Sequence, residues 1–330
     1  MDTIVEVRNL SVLFRTEEGV VRAVDGLDFE IRRGETLGIV GESGCGKSMT
    51  ASALMGLIPK AGEIGAGSTI LFDGIDVVRA SNGQLRRIRG DRAAMIFQEP
   101  MTSLNPVFKI GDQIREALEL HRTMARSAMD ARVIELLSLV GIPSPERIAA
   151  SYPHTLSGGM RQRVMIAMAL ACDPELLLAD EPTTALDVTI QAQILELMKD
   201  LKRKVNASIL LISHNMGVIA EMCDRIIVMY AGRAVEEGHA RDLFADPLHP
   251  YTEGLLRSIP SVAAKRERLD SIPGMVPNPL SMPSGCGFAP RCPYARPECS
   301  EGQPGLLRLG EGRAVRCFLR GSRGEERMAS

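Results

Sequence analysis

Residues Gly41-Glu42-Ser43-Gly44-Cys45-Gly46-Lys47-Ser48 follow the pattern G-x-x-x-x-G-K-[ST], the spacing of a loop that wraps phosphate. Each residue type has a chemical reason to be there. The glycines let the backbone curl so that several N–H groups converge on phosphate oxygens. A helix opening at the end of the loop adds about half a positive charge at its N-terminus. Lys47 reaches the β- and γ-phosphates of a triphosphate, and the Ser48 hydroxyl suits Mg²⁺. The flanks agree with this reading. Residues 36–40 are a buried strand by pattern, and residues 49–57, from Met49 onward, are a helix. A plain glycine-rich turn would not need that strand–loop–helix order.

A second group of candidates ends the run Leu176-Leu177-Leu178-Ala179-Asp180-Glu181. A parallel strand opens its C-terminal end to a ligand crevice. There Asp180 suits Mg²⁺, through water, and Glu181 suits the orientation or deprotonation of an attacking water. A solvated acidic strand end is the plainer alternative. Leu156-Ser157-Gly158-Gly159 opens a helix predicted to run to residue 171. Ser157 is a good N-cap, and the glycines leave N–H groups bare, so this is either a second anion site or an ordinary capped helix. His214 follows the apolar run 209–212, and Gln98 follows the run 93–97. Taken singly, neither is distinctive.

These residues need elements to hold them. Short strands are predicted at 4–7, 11–14, 20–24 and 27–31, punctuated by Gly19, Gly26 and Gly34. From about residue 106 to 171 the period turns helical. Ile110, Ile114, Ala117 and Leu118 share one face, and Val133, Leu136, Leu137 and Val140 share another. Strand character returns at 175–179, 208–212 and 225–229, with a helix at 189–204 between the first two. Alternating buried strands and helices indicate an α/β core with a mostly parallel sheet. Beyond about residue 238 the composition shifts toward Pro, Gly and Cys, which marks an appendage.

Bulk properties exclude several classes. A net charge of −2 offers no electrostatic grip on nucleic acid or anionic lipid. The absence of Trp and an aromatic content of 4% leave few base-stacking platforms. No signal-peptide pattern is visible, and no run of about 18 apolar residues occurs. The best stretch, 209–220, is interrupted by Ser213, His214 and Asn215. The expectation is a cytosolic protein in which a stable disulfide has no place.

In combination and order, these residues resemble the ATP-binding subunit of an ATP-binding-cassette (ABC) transporter. The resemblance covers residues 4 to 240. It includes the phosphate loop, Gln98 of a Q-loop, the signature Leu156 to Gly159, Asp180 and Glu181 of a Walker B strand, Asp187 of a D-loop and His214 of an H-loop. It implies a P-loop NTPase core in residues 1–240. An N-terminal antiparallel β subdomain and an inserted helical subdomain at about 99–171 belong to that core. It also implies two such subunits sandwiching two ATP molecules, each held by one phosphate loop and the partner's signature. In that arrangement Ser43, Gly44, Cys45, Gly46, Lys47, Ser48 and Met49 contact ATP, together with Gln98, Asp180, and Ser157, Gly158 and Gly159 in trans. Ser48, Gln98 and Asp180 hold Mg²⁺, while Glu181, His214 and Gln98 act in catalysis. Phe14 is the candidate for stacking on adenine, with core packing an equal alternative. Met160 stands where many members carry Gln, which leaves the donors named above intact.

Residues 98–106, Tyr152-Pro153-His154, His249-Pro250-Tyr251-Thr252 and 272–277 resemble the oligopeptide, dipeptide and nickel importer branch. That likeness implies uptake of short peptides or related solutes, driven from the cytoplasmic face of the inner membrane. The implied partners are two transmembrane permease subunits, a second ATPase subunit (paralogue or self) and an extracytoplasmic solute-binding protein, with no nucleic acid. A soluble cassette ATPase acting on nucleic acid or ribosomes is the alternative. It usually brings two cassettes or a long coiled coil, and this chain shows neither. A non-hydrolysing scaffold is disfavoured by Glu181 and His214. In the extension 241–330, Cys286, Cys292, Cys299 and Cys317 follow C-x5-C-x6-C-x17-C, without the C-x2-C pairs of most zinc sites. Four thiolates can ligate an iron–sulfur cluster, and the branch likeness implies a [4Fe-4S] cluster. Reduced, unliganded thiols are the alternative. Cys172 and Cys223 read as core residues. Cys45, beside a helix N-terminus, is expected to favour a reactive thiolate.

Overall fold

The computed structural model describes residues 2–98, 103–184, 186–259, 271–310 and 312–320. Part of the branch-like stretch after Gln98, residues 99–102, lies outside the described residues, as do the last ten residues of the extension. In chain order the strands are β1 (Thr3–Thr16), β2 (Gly19–Arg32), β3 (Thr36–Val40), β4 (Gly62–Ile64), β5 (Thr69–Phe72), β6 (Ile75–Asp76) and β7 (Ala93–Ile96). They continue with β8 (Leu176–Asp180), β9 (Ser208–Ile212), β10 (Arg225–Tyr230), β11 (Arg233–His239), β12 (Leu307–Arg308) and β13 (Ala314–Val315). The chain forms two compact units. One comprises Met1–Val5, Ile31–Glu35 and Phe72–Leu211, and the other Glu6–Glu30, Thr36–Leu71 and Ile212–Ser330.

In the first unit β7 and β8 run parallel, with Ala93 opposite Leu176 and Ile96 opposite Ala179. This register carries Gln98 and the Asp180-Glu181 pair to the same end of the ladder. At the opposite end the strands are clamped by charge. Arg33 pairs with Asp2, Asp73 and Glu175 at 2.8, 2.7 and 2.6 Å, and Arg92 binds Asp73 and Glu175 as well. The Glu175 N–H also donates to the Arg92 carbonyl at 2.8 Å. The helical insert appears as expected, with helices at Ile110–His121, Arg126–Leu139, Pro145–Ala149 and Gly158–Ala169. Ile110, Ile114, Leu118, Val133, Leu136 and Leu137 are all buried, so the helical period marked the correct faces.

In the second unit β1 pairs antiparallel with β4, placing Phe14 opposite Gly62. Four short N-terminal strands were expected, and two long ones form. Asn9 and Gly26 adopt left-handed φ of 48° and 67°. The Asn9 N–H donates to the Asp28 carboxylate at 2.8 Å and the Gly26 N–H to the Ser11 hydroxyl at 3.2 Å. Side chains thus satisfy the backbone donors where the strands bend, and the strands continue instead of ending. β10 lies between β3, which is parallel to it, and β11, which is antiparallel. β13 then pairs with β11, and β12 with β13. The sheet is therefore mixed, and the extension adds to it two short strands that no hydrophobic run announced.

Arg92, as hydrogen-bond partner, holds the Asp73 and Glu175 carboxyls below the usual carboxylate range. Their contribution to stability is present above the ordinary carboxylate pKa of about 4 and is lost as pH falls through the depressed values. A double variant, Asp73→Asn with Glu175→Gln, should therefore be less stable than the parent at neutral pH. The gap should close on acidification. Urea unfolding between pH 7 and pH 2 measures it, and a gap independent of pH would refute the clamp.

Candidate functional site

β3 is buried along its whole length and feeds Gly41 directly. A Cβ on Gly41 would lie 2.2 Å from the Met229 carbonyl oxygen, and one on Gly46 would lie 2.2 Å from that of Ala23. Both positions need glycine for close backbone approach as well as for their φ of 151° and 100°. Lys47 begins the helix Lys47–Leu54 and is only 5% exposed. Its Nζ donates to the carbonyls of Gly41 and Glu42 at 2.8 and 3.1 Å. The ammonium is thus stored within the loop by neutral acceptors, which an anionic phosphate oxygen would outcompete. Ser43 and Gly44 are exposed, while Ser48 and Met49 are half-buried. Phe14 is half-buried, and a Cβ on Gly62 would lie 2.8 Å from its ring. The ring therefore packs closely against Gly62.

His214 is exposed just after β9. Its neighbours fix its backbone: the Ser213 hydroxyl accepts from the Asn215 N–H, and the Asn215 side chain accepts from Gly217 and Val218. That side chain caps the helix Met216–Met222. The Cys45 thiol differs from expectation. It is 1% exposed, and burial pushes its pKa up against the opposing pull of Lys47. Desolvation outweighs the helix terminus, so this thiol is not an activated one.

In the first unit Asp180 ends β8 and is 5% exposed. Glu181 follows with a left-handed φ of 48°, a costly conformation for a residue with a Cβ. Gln98 Nε2 donates to Glu181 Oε2 at 3.1 Å, and the Thr184 hydroxyl donates to the same oxygen at 2.8 Å. Two expected catalytic residues, 83 positions apart, are therefore in direct contact. Thr184 was not anticipated. Its signal was a hydroxyl three residues past a carboxylate in a turn, Glu181-Pro182-Thr183-Thr184. Ser157 caps its helix by accepting from the Met160 N–H at 3.3 Å, and both Ser157 and Gly158 are exposed. Gly159 packs tightly: a Cβ there would lie 2.8 Å from Ile190 Cγ2. Ile190 donates its N–H to Asp187, which caps the helix Val188–Val205.

The iron–sulfur expectation is corrected. Cys286, Cys292, Cys299 and Cys317 line one cavity of only about 20 Å³, room for about one water molecule. Burial raises the pKa of the Cys286, Cys292 and Cys317 thiols. Among the described residues no group of three or more His, Cys, Asp or Glu is arranged to hold a metal ion. The sequence spacing gathered the thiols but did not make a ligand set. Among the described residues no helix is long and apolar enough to cross a membrane.

Strand, glycine loop and helix, with a second buried strand ending in paired carboxylates, define a phosphate-loop ATPase. Residues 24–184 match the model of the ABC transporter family, and residues 235–299 match the C-terminal region of oligopeptide/dipeptide transporters. The oligopeptide transport ATP-binding protein AppD of Bacillus subtilis (strain 168) is 53% identical, over 99% of this chain and 99% of that relative. The oligopeptide transport ATP-binding protein OppD of Escherichia coli (strain K12) is 49% identical, over 96% of this chain and 93% of that relative. The dimeric post-hydrolysis structure of the ATP-binding cassette MJ0796, bound to ADP and Pi, superposes with a TM-score of 0.65. It is 28% identical and covers 72% of this chain and 99% of that one. The chain belongs to the ABC transporter family, in the branch of oligopeptide and dipeptide transport ATP-binding proteins.

Because Cys45 is enclosed, iodoacetamide should modify it in the native protein at least roughly tenfold more slowly than in urea. Peptide mass spectrometry over time measures this, and equal rates would show the thiol to be open.

Proposed function

We propose that this chain is the ATP-hydrolysing subunit of an importer for oligopeptides, dipeptides or related small solutes, working at the cytoplasmic face of the membrane. The observation that carries the hydrolytic part is Glu181. It is held in a left-handed conformation at the end of a buried strand, with Gln98 and Thr184 both on one carboxylate oxygen. Two neutral donors fix the rotation of that carboxylate without cancelling its charge. In this reading it takes a proton from the attacking water.

The loop residues fit a nucleotide. Gly44 has φ of 80° and open space where a Cβ would stand, and Lys47 waits on the Gly41 and Glu42 carbonyls and the Cys45 sulfur. Ser43 to Met49 would hold the phosphates of ATP, and Ser48, Gln98 and Asp180 would hold Mg²⁺, which supplies charge neutralisation on the phosphates. His214 would contact the γ-phosphate. Ser157 and Gly158, exposed at a helix N-terminus, and the half-buried Gly159 beside them would serve the nucleotide of a second ATPase subunit. The half-buried Phe14 ring would stack on adenine. Residues 1–240 form the ATPase part in this reading, with the insert at about 99–171, and 241–330 form the extension. Two membrane-spanning permease subunits, a second copy or paralogue of this chain, and an external solute-binding protein complete the machine. Support for peptide import comes from the match at 235–299 and from the relatives' names. A soluble ATPase acting on nucleic acid or ribosomes gains nothing from a net charge of −2.

Glu181→Gln keeps the shape and removes the base. It should lower ATP turnover by about two orders of magnitude or more, while ATP binding persists and an ATP-bound dimer accumulates on size-exclusion chromatography. Turnover equal to the parent would remove Glu181 from this role.

A further inference from the structure

Glu42 is the second residue of the phosphate loop, and the hydrolytic chemistry assigns it no task. It is nevertheless gripped from the C-terminal extension. Arg291 meets its carboxylate with both terminal nitrogens, Nη1 to Oε2 at 2.6 Å and Nη2 to Oε1 at 3.0 Å, the planar two-point geometry of the strongest ion pairs. The arginine side chain is 4% exposed. Its other donor bonds run to the carbonyls of Pro273 and Ile272 at 3.0 and 3.3 Å and to the Tyr230 hydroxyl at 3.4 Å. The backbone of Glu42 is held as well: its N–H donates to the Tyr251 hydroxyl at 2.8 Å. Tyr251 is fully buried, with the rings of Tyr230 and Phe288 at 4.7 and 5.4 Å. Phe288 in turn accepts the Arg291 N–H at 2.9 Å.

The grip falls where the loop is least able to hold itself. Gly41, Gly44 and Gly46, all at positive φ, surround Glu42, and glycine-rich backbone has the most freedom to lose. The Glu42 carbonyl is also one of the two acceptors that hold Lys47, and it accepts the Cys45 N–H at 3.3 Å. Fixing Glu42 therefore fixes the seat of the lysine. We infer that Arg291 and Tyr251 are positioning residues through which the C-terminal extension holds the phosphate loop in its nucleotide-ready shape, with Glu42 as the handle. This inference rests on the reading of the loop as an Mg-ATP site. It gives the extension a task in ATP binding that needs no metal.

If the loop is pre-shaped by this grip, losing it lowers the fraction of competent loops and weakens binding by the same factor. The experiment uses the full chain. The Kd for a fluorescent ATP analogue with Mg²⁺ is titrated, KM and kcat for ATP are measured, and circular dichroism melting reports the folded fraction. Arg291→Met and Glu42→Gln should each raise Kd and KM about tenfold, with kcat changed less than about threefold. Arg291→Lys should recover part of the loss, and Tyr251→Phe, which keeps the packing, should give a smaller rise. The double variant Arg291→Met with Glu42→Gln should be no weaker than the worse single one, because the two act through one contact. Unchanged Kd in folded Arg291→Met and Tyr251→Phe would overturn the inference, as would additive losses or losses that merely follow the folded fraction. Should Arg291→Met not fold, Glu42→Gln and Tyr251→Phe decide by the same criteria. A parent protein that binds no nucleotide would take down the ATPase reading and this inference together. Parent binding with indifferent variants would take down this inference alone.

Discussion

A buried parallel strand can satisfy its backbone only against its neighbours, so its register is set to the residue. Two such registers place the chemistry of this protein. Ile96 beside Ala179 brings Gln98 to Glu181. Val228 beside Val40 brings the Met229 carbonyl against Gly41 and sets where the phosphate loop departs. A slip of one residue in either ladder would separate the contacts by about 3.3 Å, more than a hydrogen bond tolerates. The charged groups at the far end of β7 and β8 belong to the same constraint. Arg33 and Arg92 hold Asp73 and Glu175 where the strands begin, so that the strands end in step.

Backbone in the left-handed region occurs at several points of the chain, the proposed site among them. The loop glycines occupy conformations that side chains rarely adopt, two of them with another strand's carbonyl in the space a Cβ would need. Glu181 accepts a left-handed backbone without being glycine, at a cost on the order of 1 kcal/mol. Thr184 and Gln98 help to hold it there. The signature glycines show a related economy. Gly158 stays exposed at its helix tip, while Gly159 lets Ile190 approach. The helix that Asp187 caps is thereby seated against the helix that Ser157 caps.

The extension is organised by polar tethers more than by a core of its own. Arg316 donates to the carbonyls of Ala234 and Pro304, and Arg320 to that of Leu248. Glu236, with its pKa raised by burial, accepts the N–H groups of Leu248 and His249. His249 is fully enclosed, and burial lowers its pKa to about 3. It is therefore neutral, and its Nδ1 accepts the Tyr251 N–H at 3.0 Å. The stretch His249-Pro250-Tyr251-Thr252, read at first only as a likeness to a branch of importers, thus has a physical content. It caps a helix and aims a tyrosine at the phosphate loop. The cysteines have no comparable part: among the described residues no group of three or more His, Cys, Asp or Glu is arranged to hold a metal ion.

Motifs whose residues are adjacent were legible in the chain itself. The phosphate loop, the carboxylate-ended strand, the capped signature helix and the helical faces of the insert each depend on local spacing, which the one-dimensional order contains. Branch membership was legible for the same reason. Only the tertiary structure decided what depends on distant residues meeting: Gln98 and Thr184 on Glu181, Arg291 and Tyr251 on Glu42, and the strands β12 and β13 added to the sheet. It also decided against two local expectations. Cys45 sits at a helix tip that favours thiolate, yet burial makes it a closed thiol, and the four spaced cysteines line one small cavity without forming, among the described residues, a group arranged to hold a metal. Burial is a property of the packed whole, and at Cys45 the cost it puts on the thiolate exceeds what the neighbouring Lys47 returns.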